Sequence, residues 1–227
     1  MNAKQILKIL KLRANPKNIK GMAQFGMTAK KRLGVSVPNM RKIAKETNKN
    51  HSLAIQLWKT GIKEAKIVAS MVGEPEKVTE KQMEAWVKDF DSWDVCDQVI
   101  SNLFDKTKFA YQKAFEWSKR KEEFVKRAGF VLMATLSVHD KKANNKKFEQ
   151  FFPLIKKEAI DERNFVKKAV NWALRQIGKR NLALNKKAIA IAKEIQKIDS
   201  KSAKWIANDA LRELTGEAVQ KRLRAKK

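Results

Sequence analysis

Apolar residues recur at helical spacing along almost the whole of this 227-residue chain, and very little interrupts them. Eight glycines and four prolines are too few for the turns that many short strands need. The expectation is an all-α fold with short connections. Periodicity puts helices near 3–13, 16–30, 38–47, 51–59, 62–72, 79–89, 92–104, 107–118, 121–137, 144–157, 161–178, 181–196 and 199–214, with a basic tail at 221–227. Pro16 and Pro38 suit first helical turns, where a missing amide donor costs nothing. Thr79 and Gln82 have capping-box spacing. Gly73 to Pro75 reads as a break, and His139 to Asn145 as a polar loop. No stretch has linker composition, so 1–227 reads as one domain.

The second half repeats itself. Phe124-Val125-Lys126-Arg127-Ala128 returns as Phe165-Val166-Lys167-Lys168-Ala169, 41 residues on (165 − 124). Asn171-Trp172-Ala173-Leu174-Arg175 returns as Asn208-Asp209-Ala210-Leu211-Arg212, 37 residues on (208 − 171). Periods near 40 with two helices each point to a HEAT- or armadillo-like stack, in which neighbouring repeats bury each other's apolar faces and the array curves. The other arrangement open to these helices is a bundle of unrelated topology.

The formal net charge is +27, from 51 Lys and Arg against 24 Asp and Glu. Such an excess points to a polyanionic partner, nucleic acid before an anionic membrane surface. A lysine bias spread over the whole chain would give the same total. No segment approaches the roughly 20 apolar residues of a membrane span. Residues 4–13 read as an amphipathic core helix in place of a signal peptide. Cys96 is the sole cysteine, which rules out an internal disulfide, fits a reducing cytoplasm and reads as a small core residue. His51, His139 and one cysteine make no metal cluster, and no glycine-rich phosphate loop is present.

In the 161–178 helix, Val166, Ala169, Ala173 and Ile177 form an apolar stripe. Lys168, Trp172, Arg175 and Lys179 fall together on the opposite side. The next repeat puts Trp205 and Arg212 at the places of Lys168 and Arg175, and the preceding one puts Arg127 at the place of Lys168. Cations so aligned can neutralise phosphates, and tryptophan offers a flat surface to a base or sugar. Trp172 reads equally as a side chain packed on the adjacent repeat under lysine stems.

From Asp89 to Asp97 the charge bias reverses, with four aspartates in nine residues. Ser92 reads as an N-cap and Asp94 suits the first helical turn. Asp97 lies four residues after Trp93, on the same helix face. On spacing alone Asp97 reads as a helix-surface ion pair. Facing DNA, it could stabilise the positive charge that develops on a sugar as an N-glycosidic bond breaks. At ~4 Å and an effective dielectric near 20 that attraction is about 4 kcal/mol, roughly a thousandfold in rate.

Taken in order, Ser92-Trp93-Asp94-Val95-Cys96-Asp97, Val125-Lys126-Arg127-Ala128 and Val166 to Arg175 resemble the AlkD-type DNA alkylation-repair glycosylases. Asn15-Pro16, Met22-Ala23, Phe25, Gly34 to Pro38 and Arg41 extend the resemblance toward the N-terminus. It implies a C-shaped solenoid of HEAT-like repeats, a right-handed α-α superhelix acting as a monomer, and excision of cationic alkylpurines such as 3-methyladenine and 7-methylguanine from duplex DNA without metal or cofactor. The implied site is catalytic Asp97, sugar-contacting Trp93 and Trp172, and backbone-anchoring Arg127, with Lys168, Arg175, Lys179, Trp205 and Arg212 as further DNA contacts. The implied place of action is the nucleoid in the cytoplasm. Ser92 departs from the family pattern where an aromatic is usual, Val95 and Cys96 replace polar and aliphatic neighbours, and Phe25 stands where well-known members have tyrosine. These departures bear on catalysis more than on DNA binding, which leaves two alternatives, a non-catalytic DNA-binding relative and a HEAT-like protein-binding scaffold whose charge is incidental.

Overall fold

A computed structural model describes residues 1–225, and the chain divides into two compact units, Met1–Phe109 and Ala110–Lys227. The first contains α1 (Ala3–Leu12), α2 (Pro16–Gln24), α3 (Val37–Thr47), α4 (His51–Lys59), α5 (Lys63–Val72), α6 (Glu80–Lys88) and α7 (Trp93–Asn102), with 3-10 turns at Pro75–Lys77 and Phe104–Lys106. The second contains α8 (Ala110–Trp117), α9 (Glu123–His139), α10 (Asn145–Glu149), α11 (Phe152–Glu158), α12 (Asn164–Gly178), α13 (Leu182–Gln196), α14 (Lys201–Thr215) and α15 (Glu217–Arg224). Among the described residues there is no strand, as the periodicity predicts.

In the first unit α5 is the centre. It packs against α1, α3, α4 and α7 and is buried on every side from Lys63 to Ser70. Trp58 and Trp86 stack beside it with ring centroids 3.9 Å apart. A helix surrounded in this way cannot send its polar side chains to water, so Lys63, Glu64 and Lys66 must find partners inside the fold.

In the second unit α9, α12 and α14 pack in succession, backed by α8, α11 and α13. They begin at 123, 164 and 201, so the helices repeat with the offsets of 41 and 37 read from the sequence. Phe124 and Phe165, equivalent in adjacent repeats, meet with centroids 5.4 Å apart. Val166, Ala169, Ala173 and Ile177 are fully buried, as the α12 stripe requires. The repeats are also tied by polar links. Asn181 Nδ2 donates to Asn145 Oδ1 at 2.8 Å, and Arg180 donates to the carbonyls of Ser137, Asp140 and Ala143 at 2.7–2.9 Å.

Four local expectations need correction. The 16–30 helix stops at Gln24, because Gly26, Lys31 and Gly34 take positive φ values that no helix accommodates. The 144–157 helix breaks between Glu149 and Phe152, where Pro153 in the next helix's first turn lacks an amide donor. Thr79 does accept from the Gln82 amide, but the Gln82 side chain pairs with His51 in place of closing the capping box. The basic tail is not a tail as far as Arg224. Lys221 to Arg224 belong to α15, where Leu223 is buried and the cations face outward, while residues 226–227 lie outside the described residues.

Gly129 of α9 lies against the backbone at the C-terminal end of α8. A Cβ there would lie 2.3 Å from the Ser118 amide nitrogen and 2.8 Å from its Cα, both backbone atoms. Gly129→Ala is expected to destabilise the protein by about 1–3 kcal/mol, since the two helices must separate to admit the methyl group. A lowered urea midpoint with an unchanged m-value would record this.

Candidate nucleic-acid interface

Of the six tryptophans, Trp58, Trp86 and Trp117 are buried in the core. Trp93 and Trp172 are half-buried and Trp205 is 40% exposed. The three that remain accessible are the three raised in the sequence as candidate DNA contacts.

In the first unit, Trp93 is the first residue of α7 and Asp97 lies one turn on, both half-buried on the same side of the helix. Val95, Cys96, Val99 and Ile100 bury the other side. The Trp93 indole N–H donates to the Phe25 carbonyl at 3.0 Å, which fixes the ring against the turn after α2. Phe25 itself is 71% exposed.

That turn is held by buried charge. Arg32 reaches Asp94 with both terminal nitrogens, at 2.7 and 2.9 Å, and donates also to the Thr28 carbonyl and the Ser92 hydroxyl. The Ser92 hydroxyl bonds to Asp94, so Ser92 stands at the N-cap position but makes no side-chain cap bond to the backbone. Glu64, almost fully buried, accepts the backbone amides of Leu33 and Gly34 at 2.8–3.1 Å. Gly34 has φ 75°, and a Cβ there would stand 2.3 Å from the Asn15 carbonyl oxygen, so the turn requires glycine.

The acidic run now divides by role. Asp89 accepts from the Trp58 indole at 2.9 Å and from Lys66 at 3.3 Å, Asp91 pairs with Lys63, and Asp94 pairs with Arg32. Asp89, Asp91 and Asp94 are thus counter-ions for buried cations. Neither Arg32 nor Glu64 stands out in the sequence. Their partners lie 30 to 62 residues away, and only the signal of a carboxylate excess around residue 90 hints that cations must converge there.

In the second unit, Arg127, Lys168 and Trp205 each occupy the fifth position of their helices, α9, α12 and α14. Lys168 is exposed, and the Lys167 ammonium lies 5.3 Å from the Trp205 ring centroid. Arg127 is only 6% exposed, and its Nη1 donates to the Phe165 carbonyl at 2.7 Å, which joins α9 to the first turn of α12. Trp172 is half-buried between Lys168 and Arg175 on the accessible side of α12. Arg175 and Lys179, expected to face phosphates, both reach Glu213 on α14, at 2.5 and 2.6 Å. Arg212 is exposed and pairs with Asp209, which also accepts from Asn171 at 2.7 Å.

Burial works to raise the Glu213 pKa, but the Lys179 hydrogen bond and the charges of Arg175 and Lys179 outweigh it and hold the carboxyl below the usual range. A carboxyl depressed on folding contributes stability above its unfolded pKa and loses it as pH falls through the folded value. Glu213→Gln is therefore expected to be less stable than wild type at neutral pH, with the gap closing below the ordinary glutamate value of about 4.3. Thermal midpoints measured across pH for both proteins would show a gap independent of pH if the ion pairs contribute nothing.

Among the described residues no group of three or more His, Cys, Asp or Glu side chains is placed to hold a metal ion, and no helix is long and apolar enough to cross a membrane. None of the curated proteins matches the chain. A solved structure from "a new family of proteins related to the HEAT-like repeat DNA glycosylases with affinity for branched DNA structures" superimposes with a TM-score of 0.79, covering 95% of this chain and 97% of that one at 21% identity. At that identity the likeness establishes the HEAT-like fold. The model of the DNA alkylation repair enzyme family matches residues 6–214. With nearly the whole chain matched, the protein belongs to the family of DNA alkylation repair enzymes.

Proposed function

We propose that the protein is a DNA glycosylase that hydrolyses the N-glycosidic bond of cationic alkylpurines, 3-methyladenine and 7-methylguanine, in duplex DNA. The observation that carries this reading is the pairing of Trp93 and Asp97 on the accessible side of α7, in a chain matched to the repair family over residues 6–214. Asp97 is assigned the stabilisation of the oxocarbenium-like sugar and the orientation of water. Trp93 and Trp172 are assigned contacts to the sugar, and Arg127 an anchoring contact to the DNA backbone, for which its buried guanidinium has to leave the Phe165 carbonyl. Lys168, Arg175, Lys179, Trp205 and Arg212 are assigned further DNA contacts, with Arg175, Lys179 and Arg212 having to exchange their carboxylate partners for phosphates.

The chemistry is consistent with a single carboxylate. A purine already carrying a positive charge leaves as a neutral base, so no acid is needed to protonate it. The same argument makes neutral lesions such as uracil and hypoxanthine poor substrates.

A second reading is a non-catalytic protein that binds duplex or branched DNA. It draws support from the affinity for branched DNA structures described for the structural relative. Both readings require DNA binding that weakens steeply with salt, by a slope of about −0.9 per phosphate neutralised.

The deciding experiment is release of 3-methyladenine and 7-methylguanine from methylated duplex DNA by wild type and Asp97→Asn. Wild type is expected to release both bases. The variant should be slower by roughly a thousandfold, the loss expected from removing one carboxylate charge, while it binds DNA at least as tightly. Tight binding with no release by wild type would transfer the assignment to the non-catalytic reading.

A further inference from the structure

Within the second unit, a cleft of 420 Å³ lies where the C-terminal ends of α9 and α12 meet α15. Lys141, Lys179, Arg180 and Arg222 line it with Ser137 and Gln176, and among the described residues no carboxylate does. The cations come from three segments, and each segment is pinned. Arg180 donates to the carbonyls of Ser137, Asp140 and Ala143 at 2.7–2.9 Å, which fixes the loop that carries Lys141. The Asp140 carboxylate of that loop is engaged elsewhere, by the Tyr111 hydroxyl at 2.9 Å and the Ala143 amide at 3.0 Å. Gln220 donates to the Leu214 carbonyl at 2.6 Å and to Asn185 Oδ1 at 3.0 Å, and Leu223 is buried, so α15 holds Arg222 in place.

The fold accounts for two of the four cations. Arg180 is spent on carbonyls, and Lys179 reaches Glu213 at 2.6 Å. Lys141 and Arg222 are exposed, and among the described residues neither has an ion-pair partner. The Arg222 guanidinium comes only within 3.5 Å of the Lys179 carbonyl, longer than an ordinary hydrogen bond. Like charges gathered in a concave site raise its positive potential, and the ion that lowers it is an anion. The cleft also continues the accessible stripe of α12. Lys168, Trp172, Arg175 and Lys179 follow one another at intervals of four, three and four residues, and Lys179 lies seven residues beyond Trp172 (179 − 172). Seven residues of helix are about 10 Å long. Phosphates of one strand follow at roughly 3.4 Å along the duplex axis. A strand laid along this stripe from Trp172 therefore enters the cleft about three nucleotides on.

We infer that this cleft is a backbone-phosphate site for the DNA strand that flanks the base held at Trp172. Lys141 and Arg222 each take a phosphate, and Arg180 is the positioning residue that keeps the Lys141 loop against α12. The inference rests on the DNA binding that both readings of function share, and not on base excision. It gives the basic C-terminal helix a task, since α15 supplies the one cation of the cleft that the repeats themselves do not.

The test is the salt dependence of duplex DNA binding by the full chain, compared between wild type, Lys141→Ala/Arg222→Ala and Lys142→Ala/Lys221→Ala. The second double variant removes the same charge from exposed neighbours that do not line the cleft. Loss of two phosphate contacts should flatten the log–log salt slope by about 1.8. Wild type should then lose about tenfold more affinity than the cleft variant between about 50 and 200 mM salt. The control variant should keep a slope close to that of wild type. An unchanged slope in the cleft variant, or an equal loss in the control, would overturn the assignment and leave the charge as a diffuse field. So would a cleft that serves free phosphate alone, seen as calorimetric binding of inorganic phosphate that the cleft variant loses while its DNA slope stays the same. Wild type that binds DNA but releases no base would remove the glycosylase reading and still allow the slopes to decide this one. Wild type with no salt-dependent DNA binding would overturn it together with both readings.

Discussion

Burying a cation is costly unless a carboxylate or a set of carbonyls goes in with it, and breaking such a pair costs about 3–5 kcal/mol. In a chain with 51 cations and 24 carboxylates, that constraint decides where the few acids go. Asp89, Asp91 and Asp94 meet Lys66, Lys63 and Arg32 around the N-terminal ends of α5 and α7. Glu158 and Asp161 meet Lys126, and Glu213 meets Arg175 and Lys179. Each of these pairs joins elements distant in sequence, so the scarce carboxylates act as cross-links between segments that would otherwise repel.

The consequence for the first unit is a fixed mounting for α7. Arg32 and Glu64 hold the 25–34 turn from two sides, and the turn in turn presents the carbonyl that orients Trp93. Ser92 takes part in the same network, since its fully buried hydroxyl touches both Arg32 and Asp94. A larger aromatic at that position could not make these bonds. The departure of Ser92 from the family pattern is therefore matched by a local hydrogen-bond set of its own.

The second unit depends on a different economy, the stacking of equivalent helices. Small residues at Ala169, Ala173 and Gly178 of α12 let α9, α13 and α14 come close, and a Cβ at Gly178 would meet Leu214 at 2.7 Å. Close stacking brings fifth-position side chains of successive helices to corresponding places, which is how Arg127, Lys168 and Trp205 share a position while differing in exposure. Arg127 is drawn inward by the Phe165 carbonyl, whereas Lys168 and Trp205 stay outward. The same stacking sets α14 carboxylates against α12 cations, so part of the positive charge written along α12 is neutralised within the fold.

Helix class, the repeat offsets of 41 and 37, the buried stripe of α12 and the shared helix face of Trp93 and Asp97 were all legible in the sequence, because each follows from spacing along one helix or between copies of one helix. Local departures came from single residues whose effect is geometric, as at Pro153 and at the positive-φ positions of the 25–34 turn. What the sequence could not disclose is partner choice. Nothing local distinguishes Arg175, which meets Glu213 38 residues away, from Lys168, which faces outward. Nor does anything local reveal that Asp94 is held by Arg32 across 62 residues. Periodicity is a property of the chain and can be read along it, whereas the pairing of charges is settled only when desolvation forces each buried ion to take whichever partner the packed helices bring within reach.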